Sequence, residues 1–207
     1  MKKDPVRFIN TIAPFIQEAA ERNKYNFPSI IIAQACLESG YGTSKLAKYH
    51  NYFGLKCGSK WKGKSVNIET NEEYTPGEIT RIRDYFRVYD SLEEGIQGYF
   101  DYFKSYKKYD VLTSAISQED YINLIKNLGY ATDSKYVEKV LKIVRQYNLD
   151  DFNPKDYIEY KVRRQDTLWS IARELLGVGP RYVEIKALNN LVNNCIHVNQ
   201  ILKVPKR

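Results

Sequence analysis

The chain has 207 residues, of which 43% are hydrophobic, and its formal net charge is +7. This length suits one large domain, or a medium domain with a small module, and the apolar content is enough for a buried core. Three widely spaced cysteines and two histidines exclude a zinc-ribbon spacing and a disulfide framework, and no apolar stretch is long enough to cross a membrane, so we expect no metal, no cofactor and no membrane insertion.

The positive charge favours an anionic partner, such as nucleic acid, an anionic membrane or an anionic cell-wall polymer. No run of Lys and Arg is longer than three residues, which weighs against nucleic acid. The chain also contains 18 tyrosines. Their rings can stack on sugars or pack at the edge of a core, and composition does not choose between the two.

The N-terminal segment is predicted to be an amphipathic helix. Asp4 suits an N-cap before a proline at the first helical position, and apolar residues from Phe8 to Ala19 fall on one face. We expect Pro14 to kink or restart this helix. Because the helix begins so close to Met1, no signal peptide is visible. Action outside the cell would then require another agent of delivery, or a signal that this sequence lacks.

The next helix is apolar throughout and ends in one glutamate. Ser29 follows Pro28 and marks its start, while Gly40 and Gly42 mark its end, so Glu38 lies near the C-terminus of a buried helix. Burial and the helix macrodipole both raise the pKa of a carboxyl group at this position, which suits a general acid. Taken alone, the local pattern favours the simpler alternative, a glutamate in a helix-terminal turn that faces water.

The rest of this region predicts more helices and one hairpin. Ser91 and Glu94 suit a capping box at the start of a helix, and Gly129 ends a later one. The predicted elements are a short helix at 43–47, a folded loop at 51–58, strands at 65–74 and 79–89 joined by a turn at 75–78, and helices that begin at 91, 117 and 136. We therefore expect a mainly α-helical domain with a small β-hairpin lobe.

A short linker is predicted at 153–156, where Pro154 breaks the pattern, so the expected domains are 1–152 and 157–207. The second part predicts a strand at 158–162, a helix after Thr167, a helix at 182–188 and a strand at 201–204. This βααβ module carries a net charge of +5, against +2 for the rest of the chain. Most of the positive charge is therefore concentrated in the small module.

Four blocks of the first domain occur in order: AQACLESGYG at 33–42, NYFGLK at 51–56, FRVYDS at 86–91 and YATDSKY at 130–136. With these blocks the domain resembles the bacterial endo-β-N-acetylglucosaminidase domain, glycoside hydrolase family 73, which is shared by many autolysins and the flagellar peptidoglycan hydrolase. The resemblance covers nearly all of the first domain. It implies a lysozyme-like fold with a hairpin lobe beside the cleft, in agreement with the helices and hairpin predicted above.

The second part carries YKV at 160–162, DTLWSIA at 166–172, LNNL at 188–191 and a closing segment from Ile196 to Pro205. It resembles a LysM domain, a βααβ fold that binds glycans containing N-acetylglucosamine. At Arg164 and Gln165 it departs from the common pattern, in which many members have a glycine before the Asp-Thr pair. Both resemblances imply the same polymer, peptidoglycan.

Hydrolysis of a glycosidic bond needs an acid on the leaving oxygen and a group that stabilises or traps the oxocarbenium centre. By resemblance Glu38 is the acid, and a second acidic residue follows a threonine on the hairpin lobe. Glu72 and Glu73 both follow Thr70. Strand alternation places them on opposite faces, and the Thr-x-Glu spacing favours Glu72. The alternatives are Glu73, a solvated hairpin edge without a catalytic role, or the substrate's own acetamido group as nucleophile.

The resemblance also implies substrate contacts. Tyr130 matches a tyrosine that the family places near the reaction centre, where its phenol can orient the acetamido group, although a loop tyrosine can equally pack on the last helix. The expected substrate-binding residues are Ser39, Tyr41, Asn51, Phe53, Glu73 and Tyr85. In the LysM-like module the expected glycan-binding residues are Asp166, Thr167, Leu168, Asn194 and Ile196, while Trp169 is expected in the core.

The sequence thus predicts a monomeric endo-β-N-acetylglucosaminidase that cleaves peptidoglycan at the bacterial cell wall and is anchored by LysM. A lytic transglycosylase or a muramidase of the same superfold is the first alternative, and a non-catalytic wall-binding structural protein is the second. Nucleic-acid binding ranks last. The lack of a visible signal peptide favours a phage endolysin released through the host membrane, or a tail-associated lysin, over a cellular autolysin.

Overall fold

The computed structural model describes the backbone of residues 3–75 and 78–206, and the side chains of the same residues except 71–79. The chain divides into two compact units, Met1–Asn153 and Pro154–Arg207. Each unit has a hydrophobic core of its own. Within the described residues, no helix is long and apolar enough to cross a membrane.

The first unit is mainly helical and has one antiparallel hairpin, as predicted. Its elements are α1 (Pro5–Asn23), α2 (Pro28–Ser39), β1 (Ser65–Thr75), β2 (Glu78–Arg87), α3 (Leu92–Lys104), α4 (Gln118–Asn127) and α5 (Tyr136–Gln146). Short 3-10 helices occur at Ala47–Tyr49, Lys107–Ser114 and Leu149–Phe152. The part of the predicted turn at 76–77 lies outside the described residues.

Helix α2 is the centre of this unit. Every residue from Ser29 to Cys36 is buried, and α2 packs against α1, α4, α5 and the 3-10 helix at Leu149–Phe152. A helix that is apolar on all sides must be enclosed in this way. Pro28 is its first residue, and Gly40 ends it in the left-handed conformation with φ of 56°. The C-terminal end of α2, with Glu38, is thereby fixed by packing along the whole helix.

Two local predictions differ from the structure. Helix α1 runs without a break past Pro14, so it does not restart there; Pro14 lies on the exposed face, where the carbonyl group that its ring leaves unbonded can bind water. The short helix expected at 43–47 is instead a series of turns that leads into the 3-10 helix Ala47–Tyr49. Tyr41 and Gly42 before this segment and His50 after it have positive φ, so a helix cannot extend beyond it on either side.

The base of the hairpin is anchored by Arg87, a buried arginine at the end of β2. Its guanidinium lies over the rings of Trp61, 4.6 Å from the centroid, and Tyr102, 5.2 Å away. Its Nε donates to the carbonyl oxygen of Lys56 at 3.1 Å, and its own carbonyl accepts from Asn51 at 2.9 Å. The hairpin is therefore attached at its base to α3 and to the loop that follows α2.

The second unit has the predicted βααβ order: β3 (Tyr157–Lys161), α6 (Leu168–Leu176), α7 (Tyr182–Leu188) and β4 (Ile201–Pro205). Strands β3 and β4 are antiparallel, with Tyr157 opposite Pro205. Thr167 caps α6 in a reciprocal capping box with Ser170. The expectation for Trp169 was wrong, because its side chain is 49% exposed and covers Gly179 instead of entering the core.

Candidate functional site

A cleft of about 730 Å³ opens in the first unit. Its lining includes the C-terminal end of α2 with residues 44–46 after it, and the loop before α5 with the start of α5. The loop at 53–56, Ile68 to Thr70 of β1, Phe86 of β2 and Tyr102 of α3 complete the lining. The polar and aromatic residues that line the cleft are Glu38, Ser44, Lys45, Phe53, Lys56, Glu69, Thr70, Phe86, Tyr102, Tyr130, Thr132, Asp133, Tyr136 and Lys139.

Glu38 is the penultimate residue of α2, and its carboxyl group faces this cleft. A β-carbon built on Gly54 would lie 3.7 Å from Oε2 of Glu38, so Gly54 leaves the carboxyl group accessible. Gly54 has a φ of +63°, a conformation that other residues adopt only with strain. The loop at 53–56 therefore approaches the carboxyl group closely without covering it.

The surroundings of Glu38 favour its protonated form. The pKa of Glu38 is raised to about 7 as the balance of three effects: burial raises it most, a hydrogen bond from Tyr136 lowers it, and the nearby carboxylate of Asp133 raises it. The C-terminal end of a helix carries partial negative charge, which acts in the same direction as burial. At neutral pH a large fraction of Glu38 thus retains a proton that it can donate.

Asp133 has the opposite protonation state. A hydrogen bond from Lys139 Nζ, at 2.5 Å, and one from the backbone N–H of Lys135, at 2.8 Å, lower the pKa of Asp133. Two carboxyl groups in one cleft thus have pKa values displaced in opposite directions, the pattern of an acid beside a group that stays ionised. The sequence block at 130–136 contains Asp133, but no specific role was predicted for it.

Tyr130 and Phe53, both predicted site residues, meet in the cleft. The hydroxyl group of Tyr130 donates to the carbonyl oxygen of Phe53 at 2.9 Å. The Tyr130 ring packs on Phe103, with centroids 5.6 Å apart, and burial raises the pKa of the phenol well above 10. Phe53 itself is buried against Tyr99, at 4.4 Å between centroids. Tyr130 thus links the loop before α5 to the loop at 53–56.

Ser39 and Asn51 are structural in this unit. The buried Ser39 hydroxyl donates to Ala35 O at 2.6 Å and accepts from Gly42 N–H at 2.8 Å. The buried Asn51 side chain donates to the carbonyl groups of Leu55 and Arg87 and accepts from Leu55 N–H, all within 2.9 Å. Neither side chain lines the cleft. Both stabilise the loops that shape it.

Two predicted sugar-contacting aromatics lie away from the cleft lining. Tyr41 packs on Tyr147, with ring centroids 5.8 Å apart, and Lys3 lies over its ring. Tyr85 is exposed on β2, beside a shallower depression lined also by Trp61 and Asp84. Their predicted contacts with sugars stay predictions.

The side chains of Glu72 and Glu73 lie outside the described residues, so their predicted roles stay predictions. Their backbones are in β1, where Glu72 is opposite Thr80 and Glu73 opposite Ile79. The hairpin carboxylate described in the cleft lining is Glu69, which was not predicted and which pairs with Arg81 at 2.8 Å. Alternate residues of a strand share a face, so Glu72 lies on the same face of β1 as Thr70, and Glu73 on the same face as Glu69.

In the second unit, only part of the predicted glycan-binding set is exposed. Asp166 Oδ2 accepts from Tyr160 OH at 2.9 Å and from Arg163 N–H at 2.7 Å, so it closes the loop after β3. Leu168 is buried, and Ile196 packs on the core. Thr167 and Asn194 are exposed. The set therefore combines residues that shape the loops with two that are free to contact a ligand.

A cleft in which one carboxyl group has a raised pKa and another a lowered pKa has the pair of groups that glycoside hydrolases use. A family model described as "Mannosyl-glycoprotein endo-beta-N-acetylglucosaminidase" matches residues 13–149, which is more than half of the chain. The chain therefore belongs to this glucosaminidase family of glycoside hydrolases. The LysM domain model matches residues 160–205.

Two relatives are similar over the first unit. The peptidoglycan hydrolase FlgJ of Pseudomonas aeruginosa is 37% identical over 145 residues, which is 67% of this chain and 36% of FlgJ. The exo-glucosaminidase LytG of Bacillus subtilis is 36% identical over 153 residues, which is 70% of this chain and 52% of LytG. The chain thus covers less than two thirds of either relative.

The fold is shared with a solved structure, the catalytic domain of the autolysin Auto from Listeria monocytogenes. The TM-score is 0.60 at 27% sequence identity, and the match covers 74% of this chain and 91% of that chain. The first unit thus has the lysozyme-like fold with a hairpin that the sequence predicted.

Proposed function

We propose that the chain hydrolyses the glycan strands of peptidoglycan as an endo-β-N-acetylglucosaminidase, with Glu38 as the general acid. One observation carries the proposal: the Glu38 carboxyl group has a pKa raised to about 7 and faces a cleft of about 730 Å³. A cleft of this size accommodates several sugar units. The relatives named for hydrolysis of peptidoglycan and for glucosaminidase activity support the choice of polymer and of bond.

The first chemical step is protonation of the glycosidic oxygen. Glu38 transfers its proton to the leaving oxygen as the bond to the anomeric carbon breaks, and it is then a carboxylate that can accept a proton from water. Tyr136 donates a hydrogen bond to this carboxylate and stabilises it. Lys139, 2.5 Å from Asp133, holds that neighbouring carboxylate ionised while the acid is protonated.

The positive charge that develops at the anomeric carbon needs a second group. We retain Glu72 as this group on the Thr-x-Glu spacing, with Glu73 and the substrate's acetamido group as alternatives. In the described cleft lining, Glu69 and Asp133 are further carboxylates that can stabilise the charge. Each of these four carboxylates is replaced in turn by its amide, glutamine or asparagine, and the variant that loses hydrolytic activity identifies the essential one. If all four variants keep activity, the acetamido group is the nucleophile.

The second unit then holds the enzyme on its substrate. Val162 exchanges two backbone hydrogen bonds with Asn199 and Gln200, each 2.8 Å long, which brings the loop after β3 next to the segment before β4. These two segments contain the predicted glycan-binding residues, among which Thr167 and Asn194 are exposed. The module's net charge of +5 favours anionic wall polymers. On this proposal the protein acts at the bacterial cell wall.

The chemical identity of the new chain ends tests the proposal. Purified peptidoglycan is digested, the products are reduced with borohydride, and the reduced ends are identified by mass spectrometry. We expect reduced N-acetylglucosamine ends. Reduced muramic acid ends would instead identify a muramidase, and anhydromuramic ends a lytic transglycosylase. The matched control for the acid is Glu21→Gln, an exposed glutamate of α1 outside the cleft, which should give the wild-type products.

A further inference from the structure

A fully buried glutamine lies in α2, one helical turn before Glu38. Gln34 Nε2 donates to the hydroxyl oxygen of Tyr136 at 2.9 Å, and Tyr99 donates to Gln34 Oε1 at 2.7 Å. A buried amide in an apolar helix is costly unless both of its polar groups are bonded. Here both have partners, and one of those partners, Tyr136, is bonded to Glu38. The amide is therefore connected to the proposed acid through the hydroxyl group of Tyr136.

The protons in this network have one consistent direction. An ionised Glu38 can only accept, so Tyr136 must donate to it, and the Tyr136 oxygen is then free to accept from Gln34. Tyr99 uses its proton on the carbonyl oxygen of Gln34, so Tyr121, whose hydroxyl is 3.1 Å from that of Tyr99, must donate to Tyr99. Every donor in the chain Tyr121, Tyr99, Gln34 and Tyr136 thus points toward Glu38.

We propose that Gln34 is a positioning residue for Glu38, and that it acts by holding the Tyr136 hydroxyl as a donor to one oxygen of the carboxyl group. The proton of the acid is then kept on the other oxygen, where the leaving group can receive it. Without the amide, the Tyr136 hydroxyl can rotate, and no fixed donor determines which oxygen is protonated. This inference rests on the proposed role of Glu38 as the acid.

Replacing Gln34 leaves the titratable groups around Glu38 in place. The titratable side chains that line the same cleft come from the loops after α2 and at 53–56, from β1, from α3, and from α5 with the loop before it. They are Lys45, Lys56, Glu69, Tyr102, Tyr130, Asp133, Tyr136 and Lys139. Gln34 is uncharged and buried, so Gln34→Met, a change of similar size, removes hydrogen bonds and no charge. An altered titration of Glu38 in this variant must therefore come through Tyr136.

The pH dependence of peptidoglycan hydrolysis tests the proposal. Because the Tyr136 hydrogen bond lowers the pKa of Glu38, its weakening in Gln34→Met raises that pKa, and the alkaline limb of the pH–rate profile moves upward by about one pH unit. In a Tyr136→Phe background the same change should add no further shift, since Gln34 then has no hydroxyl to hold. Gln146→Met, on the exposed face of α5, is the control and should leave the profile unchanged.

A second readout does not need activity. The side-chain carboxyl carbon of Glu38 is titrated by 13C nuclear magnetic resonance in the wild type and in Gln34→Met, and the variant should titrate at the higher pH. If Gln34→Met does not fold, Tyr99→Phe replaces it and should give a smaller shift in the same direction. A variant that loses activity equally at all pH values, with an unshifted Glu38 titration, would overturn the positioning role. Full activity of Glu38→Gln would instead overturn the proposed function, and the titration would still decide the role of Gln34.

Discussion

At the scale of single residues, the Glu38 carboxyl group is subject to opposing influences. Burial and Asp133 favour its protonated form, while the Tyr136 hydroxyl favours the carboxylate, and the outcome is a pKa of about 7. A general acid is most effective when its pKa is near the working pH. The balance depends on residues of α2 and of the segment at 133–136, which packing brings together.

The raised pKa has a consequence for stability. In the unfolded chain Glu38 titrates near pH 4.5, and in the folded protein near pH 7, so between these values only the folded state keeps the proton. Stability therefore falls as the pH rises through this interval, by about 3 kcal/mol in total. We expect Glu38→Gln to be more stable than the wild type at pH 8 by about that amount and nearly equal to it at pH 4. Thermal unfolding at the two pH values measures this difference, and an equal effect at both would contradict it.

Asp133 provides an independent test of the same electrostatics. Its negative charge raises the pKa of Glu38, so Asp133→Asn should lower that pKa and move the alkaline limb of the pH–rate profile to lower pH. Lys139 loses its partner in this variant, and its charge adds to the effect. Glu138→Gln on α5 lies outside the cleft lining and should not move the limb. A shift of Asp133→Asn toward higher pH would contradict this account.

At the scale of elements, the arginine at the base of the hairpin is the critical attachment. Arg87→Met removes the contacts with two aromatic rings and leaves the carbonyl group of Lys56 without this donor. We expect a loss of about 2 kcal/mol in the free energy of unfolding, together with a higher KM, because β1 lines the cleft. Arg83→Met, an exposed arginine of the same strand, should change stability by less than about 0.5 kcal/mol. Denaturant unfolding measures the loss of stability in both variants. Equal losses would show that Arg87 contributes no more to stability than an exposed arginine of the same strand.

Local signals predicted most elements well. The apolar run with Pro28 before it and Gly40 after it defined α2, and alternation defined both strands of the hairpin, because these features depend on near neighbours in the chain. The restart expected at Pro14 does not occur, because Pro14 lies on the exposed face of α1. Trp169 was misjudged because Gly179, which lies beyond the end of α6, provides the surface on which its ring lies.

The site was predicted only in part, because some of its contacts join residues that are far apart in the sequence. Glu38 was found from its helix end and from the resemblance, whereas Gln34 and Tyr136, which are bonded to each other, are separated by 102 positions in the sequence. No local pattern shows such a contact. Ser39 and Asn51 were assigned to substrate from their neighbourhood in the sequence blocks, yet their polar groups are bonded within the protein.

At the scale of the whole molecule, two units with separate cores predict separable activities. We expect residues 1–153 alone to fold and to cleave soluble glycan fragments at the wild-type rate, since the whole cleft lining belongs to this unit. On insoluble peptidoglycan at low enzyme concentration, the truncated protein should be slower by about tenfold or more, because the second point of attachment is lost. Sedimentation with insoluble peptidoglycan measures the binding. An unchanged rate and unchanged binding would contradict the anchoring role of residues 154–207.

The role of Glu38 as the general acid is tested by the rate of the Glu38→Gln variant. Release of soluble products from purified peptidoglycan is measured at pH 6, where the wild-type carboxyl group is mostly protonated, and folding of the variant is verified by its thermal unfolding. Glutamine keeps the shape of the side chain but cannot donate a proton to the leaving oxygen, so we expect a rate lower by at least about a hundredfold. A folded Glu38→Gln protein that cleaves within a few-fold of the wild-type rate would contradict it.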